Sequence, residues 1–130
     1  MYLTRQQILE VDDLPAEDVE VPEWGGVVRV RGLTGAERDL FEAAIVNLQG
    51  KRTTVKMENV RARLVSLSAV GENGERLFSN ADIKALGAKS AAALQRVFDV
   101  ASRLSGLSEG DVEELVKNSD DGQSDSSISV

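Results

Sequence analysis

The chain has no cysteine and no histidine. Without thiols it can form no disulfide, offer no thiolate nucleophile and build no cysteine metal cage. Without imidazole it has no histidine-based triad, and it lacks the one side chain that titrates near neutral pH unaided. Carboxylate pairs, lysine and tyrosine are what remain for chemistry, so composition alone disfavours an enzyme. Aromatic residues are scarce as well. Tyr2, Trp24, Phe41, Phe78 and Phe98 are the full set among 130 residues, so any core must be built mostly from Leu, Val, Ile and Ala. No run of about 18 apolar residues occurs, which argues against a membrane span. Met-Tyr-Leu-Thr-Arg-Gln-Gln at the start carries no apolar signal segment, and a cytosolic protein is expected.

What the chain does have is enough apolar content, 42%, for one domain with a modest core. The expected organisation is a domain over residues 1–117 and a polar segment over 118–130. That segment is rich in Asn, Ser, Asp, Gly and Gln, and it is expected to be disordered in isolation. The net charge of −7 is unevenly spread. Residues 1–23 carry seven acids against Arg5, and residues 105–130 carry seven against Lys117. Residues 24–65 carry eight bases against four acids. Acidic ends around a basic middle suggest intramolecular pairing or a charged partner. The acidic total disfavours general binding to a phosphate backbone.

Local patterns place the elements. Thr4 and Gln7 have capping-box spacing ahead of Ile8 and Leu9, predicting a short helical turn that Pro15 and its neighbours break. Val19 and Val21 alternate with Asp18 and Glu20. Val28 and Val30 alternate with Arg29 and Arg31. Both read as half-buried strands, joined through the turn composition of Pro22–Gly26 into a hairpin whose arginines lie near the acids of the first strand. Thr34 and Glu37 stand at N-cap and N3 positions of a helix with an apolar stripe at Leu40, Phe41, Ala44, Ile45 and Leu48. A basic loop, Lys51 to Thr54, leads to a helix from about Met57 to Ala69, with Val60, Leu64 and Leu67 as its stripe. Gly71 to Glu75 is a turn, and Leu77 and Phe78 follow as an apolar anchor. Ser79 or Asn80 caps a short helix ending near Gly87. A long helix spans about Lys89 to Leu104, with Ala91, Leu94, Val97, Phe98, Ala101 and Leu104 on its buried face. Gly106 ends it, and Ser108 and Asp111 open a last short helix through Val116.

No constellation of catalytic type stands out. Asp12-Asp13 and Asp120-Asp121 lie in loop or tail, where a fixed separation and shifted pKa values are hard to arrange. Asp120 to Asp125 is acidic enough for calcium, yet it lacks the alternating ligands of an EF-hand loop and its closing Glu. No phosphate-binding glycine motif appears, and no cofactor is implied. Lys51, Arg52, Lys56, Arg61 and Arg63 form a basic patch with no interleaved aromatic residue, so base stacking is unsupported. Its readings are a solvated face, a docking patch for an acidic protein segment, or a nucleic-acid contact. Trp24, the lone Trp, either folds back onto the helices or stands as an anchor for a partner.

Three stretches, taken in order, resemble the tail assembly chaperones of long-tailed (siphovirus-type) bacteriophages. The first is Trp24-Gly-Gly followed by Val-Arg-Val-Arg and Leu33-Thr-Gly-Ala-Glu-Arg-Asp-Leu-Phe-Glu42. The second is Ala62-Arg-Leu-Val65 with Gly71-Glu-Asn-Gly-Glu-Arg-Leu-Phe78. The third is Val97-Phe-Asp-Val-Ala101 with Leu104-Ser-Gly-Leu-Ser108 and Glu114-Leu-Val-Lys-Asn118. The resemblance implies a small, mostly helical, non-enzymatic protein. Such a protein binds and solubilises the tape measure protein, helps recruit subunits of the major tail (tube) protein, and is absent from the finished particle. No site residue carries over from it.

The combined expectation is an α+β, mostly α fold. An N-terminal β-hairpin packs on a bundle of about four or five helices, and a disordered acidic tail follows. The expected partner surface is Trp24, Arg29 and Arg31 with Lys51, Arg52, Lys56, Arg61 and Arg63. Self-association is open, and neither a membrane nor nucleic acid is an expected partner. Two other functions compete with the chaperone: a structural head–tail or tail component kept in the virion, and a nucleic-acid-binding regulator built on the helix pair 79–104.

Overall fold

Four valines decide how the first layer sits. Val19 and Val21 on β1 (Ala16–Val21) and Val28 and Val30 on β2 (Gly26–Arg31) point to one side of an antiparallel pair, with Val19 opposite Val28. Successive strand side chains alternate between faces, so Asp18, Glu20, Val27 and Arg29 are left on the outer face, where all four are exposed. The computed structural model describes residues 1–50 and 57–107. Between the strands, Pro22–Trp24 forms a single 3-10 turn. Gly25 closes it with φ of 79° and an N–H donated to the Pro22 carbonyl at 3.0 Å. A side chain at Gly25 would be strained in that left-handed conformation.

The helical part follows the local signals closely. α1 (Arg5–Glu10) is opened by Thr4 through a complete capping box. α2 (Gly35–Gly50) starts at Thr34: its hydroxyl accepts from the Glu37 amide at 3.1 Å, and the Glu37 carboxylate accepts from the Thr34 amide at 2.9 Å. α3 covers Met57–Ser68. Ser79 opens a short 3-10 turn (Asn80–Asp82) with a capping box to Asp82, and α4 (Ile83–Gly87) continues from it. Ser90 caps α5 (Ala91–Leu104). The expected α+β, mostly α architecture, with its N-terminal hairpin and about five helices, is what the chain adopts.

One strand was not anticipated. The helix read to Ala69 stops at Ser68, and Ala69–Val70 forms β3, antiparallel to β2, giving a sheet of order β1-β2-β3. The reason is tertiary. Val30 presents its backbone to Ala69, and the following turn brings Arg76 back opposite Val70. The Arg76 guanidinium then donates from Nε to the Ser66 carbonyl at 3.0 Å. That satisfies one of the last-turn carbonyls a helix leaves without partners, at the end where positive charge is favourable.

α5 lies across β1 and β2, and α3 packs on α5, with α4 against α3. The core joins the sheet valines to Phe41 and Ile45 of α2, Leu64 and Val65 of α3, and Leu94, Val97 and Phe98 of α5. α3 is buried on almost every side from Val60 to Ser68, not along one stripe. Its serines permit this. The Ser66 hydroxyl donates to the Arg63 carbonyl at 2.8 Å and that of Ser68 to the Leu64 carbonyl at 2.9 Å, so neither is buried without a partner.

Three apolar positions differ from the sequence reading. Leu40 is exposed, while Phe41 and Ile45, one turn apart, are the positions of α2 buried in the core. Leu77 is exposed, while Phe78 alone turns inward. Ala91 is exposed at the first turn of α5, where Ala93 takes the buried position instead. Leu48, the last expected core position of α2, lies outside the described side chains. The helix from Ser108 and the segment 118–130 also lie outside the described residues.

Two acids of the hairpin find their partners on α5. Glu23 pairs with Arg96 at 2.7 Å and Glu17 with Arg103 at 2.9 Å. Arg96 and Arg103 are seven residues, two helical turns, apart on α5, so both ends of the hairpin are tied to one side of that helix. Glu23 accepts a second bond from Arg96 at 3.0 Å, a forked pairing that Lys could not reproduce.

Candidate functional site

The hairpin turn, the loop before α4, α4 itself and the α4–α5 junction converge on an apolar groove. Trp24, Phe78 and Leu86 line it, Glu23 and Lys89 stand at its rim, and its volume is about 380 Å³. Each wall is placed by a local device. Pro22 pre-sets the turn and Gly25 closes it, which directs Trp24 toward the helices, where it is half-buried against the core. Phe78 directly precedes the Ser79 capping box, which holds the chain's entry into α4. Leu86 is held on α4, and Lys89 directly precedes the Ser90 cap of α5. The groove is open to solvent, and its size falls at the lower end of the pockets that take organic ligands, roughly 300–1,000 Å³. Trp24 Nε1 is shielded from water and has no acceptor among the described residues.

The rim is electrostatically set. Forked hydrogen bonds from Arg96 hold Glu23 far below the usual carboxylate range, at about 2, and the same pair raises Arg96. Beyond the groove, the Arg29 hydrogen bond lowers Asp18. Burial pushes Glu37 up, but hydrogen bonds from Arg31 and Thr34 outweigh it, and Glu37 is lowered overall. A carboxylate with a depressed folded-state pKa stabilises the fold above its unfolded pKa and loses that contribution as it is protonated. For Glu23 the loss runs from pH 4.5 down to about 2. The advantage of the native chain over Glu23→Gln should therefore be full at neutral pH and vanish across that window. Titration of the Glu23 carboxyl by NMR checks it, and a midpoint near 4.5 would contradict the geometry.

The expected partner-binding residues do not form one cluster. Trp24 lies in the groove. Arg29 sits on the outer sheet face, bound to Asp18 at 2.9 Å. Arg31 was expected beside the acids of the first strand; it instead reaches across the end of β2 to Glu37 at 3.0 Å, and also donates to the Gly32 carbonyl. Neither arginine lines the groove. Arg61 and Arg63 are half-buried on α3, with Nε atoms that have no acceptor among the described residues. Lys51, Arg52 and Lys56 lie outside the described residues, as does the acidic run Asp120 to Asp125. Sequence reading missed Leu86 and Lys89 as groove residues. The two capping serines, Ser79 and Ser90, were the available signal, since each fixes a groove residue beside it.

Among the described residues no group of Asp and Glu could hold a metal ion, and no helix is long and apolar enough to cross a membrane. A family model described as phage tail assembly chaperone matches residues 10–121. No curated protein and no solved structure matches the chain.

Proposed function

Because the chain belongs to the phage tail assembly chaperone family, we propose that it binds the tape measure protein while the tail is built, keeps that long helical protein soluble, and helps bring subunits of the major tail (tube) protein to it. It acts in the cytoplasm of the host cell and leaves before the particle is complete. The family supports assembly rather than catalysis, and the observation that carries the binding reading is the Trp24–Phe78–Leu86 groove. A helix laid in such a groove is held by apolar side chains on one face. A Trp in its wall suits a site where a few buried aromatic contacts supply most of the binding energy. The paired charges around it, Glu23 with Arg96 above all, stay engaged within the chain and so do not compete for the bound helix.

The test is copurification of the tape measure protein with tagged variants from co-expressing cells. Trp24→Ala, with its helical signal and unfolding midpoint measured beside the native chain, is expected to recover about tenfold less or lower. Leu40→Ala, at an exposed apolar position that does not line the groove, should recover the native amount. Equal losses from both variants, or none from a folded Trp24→Ala chain, would remove the groove from the account.

A further inference from the structure

The first eleven residues present apolar surface that the rest of the described chain does not cover. Tyr2, Leu3, Ile8, Leu9 and Val11 are 98%, 62%, 55%, 65% and 58% exposed, and α1 has no buried residue. Yet α1 is a formed helix. Thr4 and Gln7 make a complete capping box, Ile8 N–H donates to the Thr4 carbonyl at 3.1 Å, and Gln6 donates to Glu10 at 2.9 Å. A six-residue helix is far below the ~12–15 residues at which an isolated helix is even marginal in water, so such a segment is stabilised by a surface it lies on. Around the helix, Ile8 and Leu9 fall on one side with Arg5 between them, and Gln6, Gln7 and Glu10 fall on the other. Asp12 and Asp13 follow directly.

The groove offers the matching surface. Its floor is apolar, and its rim carries an acid, Glu23, and a base, Lys89. The acid already holds Arg96, so the base is the rim charge left to a partner, and the arm carries its complement, Asp12-Asp13, just after α1 ends. The arm does not use the groove of its own chain. It leaves the domain at Ala16, the end of β1 remote from the hairpin turn, and buries none of its residues. We propose that the N-terminal arm of one copy docks through Ile8 and Leu9 into the Trp24–Phe78–Leu86 groove of a second copy, with Asp12-Asp13 meeting Lys89. Each copy has one arm and one groove, so the exchange joins copies either as a closed pair or head to tail. The inference stands on the arm and the groove alone and does not depend on which assembly protein the groove later receives.

The single Trp makes the test direct, since its emission reports only the groove. The full chain is followed by sedimentation and by Trp24 emission over a dilution series. Native chain should associate at high concentration and dissociate on dilution, with Trp24 emission moving to the red as the mass falls. Leu9→Glu, at an exposed position with no core contact, should weaken association about tenfold or more, as should Lys89→Glu. Combining Lys89→Glu with Asp12→Lys and Asp13→Lys should restore it. Three results would overturn the proposal: a native chain that is monomeric throughout, association that Leu9→Glu leaves unchanged, or Trp24 emission that responds to Leu9→Glu while the mass stays that of a monomer. The last would place the arm in its own groove.

Discussion

Phe98→Ala should lower the free energy of unfolding by about 3–5 kcal/mol, the largest effect expected of any single truncation here. Phe98 is 1% exposed and lies on α5 between the sheet valines and α3, so its removal opens a cavity between two layers held by side chains from three elements. Domains of this kind have roughly 5–15 kcal/mol in total, so the variant should remain folded at low temperature and melt many degrees earlier. Urea unfolding followed by circular dichroism measures the difference. Leu40→Ala, at an exposed position, should change it by less than about 0.5 kcal/mol. A loss under about 1 kcal/mol for Phe98→Ala would mean that α5 does not pack on the sheet as described.

Gly32→Ala should cost about 1–3 kcal/mol through the opposite fault, an atom with no room. A Cβ at Gly32 would stand 2.6 Å from the Leu104 carbonyl oxygen, 3.2 Å from its carbon and 3.3 Å from Pro15 Cδ. Two of those atoms are backbone at the end of α5 and cannot rotate away. The neighbouring bonds are tight on both sides, since Gly32 N–H donates to the Pro15 carbonyl at 2.9 Å and Leu33 N–H to the Ser105 hydroxyl at 3.0 Å. Relieving the clash therefore means pulling β2 off the end of α5. Gly35→Ala provides the contrast. A Cβ there meets nothing within 4 Å, and at the first turn of α2 the change should be neutral or stabilise by up to about 1 kcal/mol. The Gly32→Ala melting curve should fall while that of Gly35→Ala stays or rises, and equal shifts would contradict the described junction.

How much of this could be read beforehand depended on distance along the chain. The caps at Thr4, Thr34 and Ser79 are three- or four-residue signals whose donors and acceptors lie within one turn, and the structure uses all three; Ser90 is a fourth of the same kind, passed over by a helix read from Lys89. The valine alternation of β1 and β2 is likewise local, and so is the turn that Pro22 and Gly25 shape. β3 was hidden because Ala69-Val70 continues a helical pattern, and only pairing with β2 makes it a strand. Burial all round α3 was hidden because Ser66 and Ser68 read as polar until their hydroxyls are seen to bond one turn back. Arg31 meets Glu37 and not the acids of the first strand because its strand ends beside the first turn of α2, a fact about packing. The groove shows both sides: Trp24 at the turn was legible, but Phe78, Leu86 and Lys89 join it only once α4 and α5 have folded against the hairpin.

The proposed hold on the tape measure protein is tested by the soluble fraction of that protein made in cells with and without this chain. The tape measure protein should move from the pellet to the supernatant when the native chain is present, and stay largely in the pellet with a folded Trp24→Ala chain. A tape measure protein equally insoluble in both conditions would contradict it.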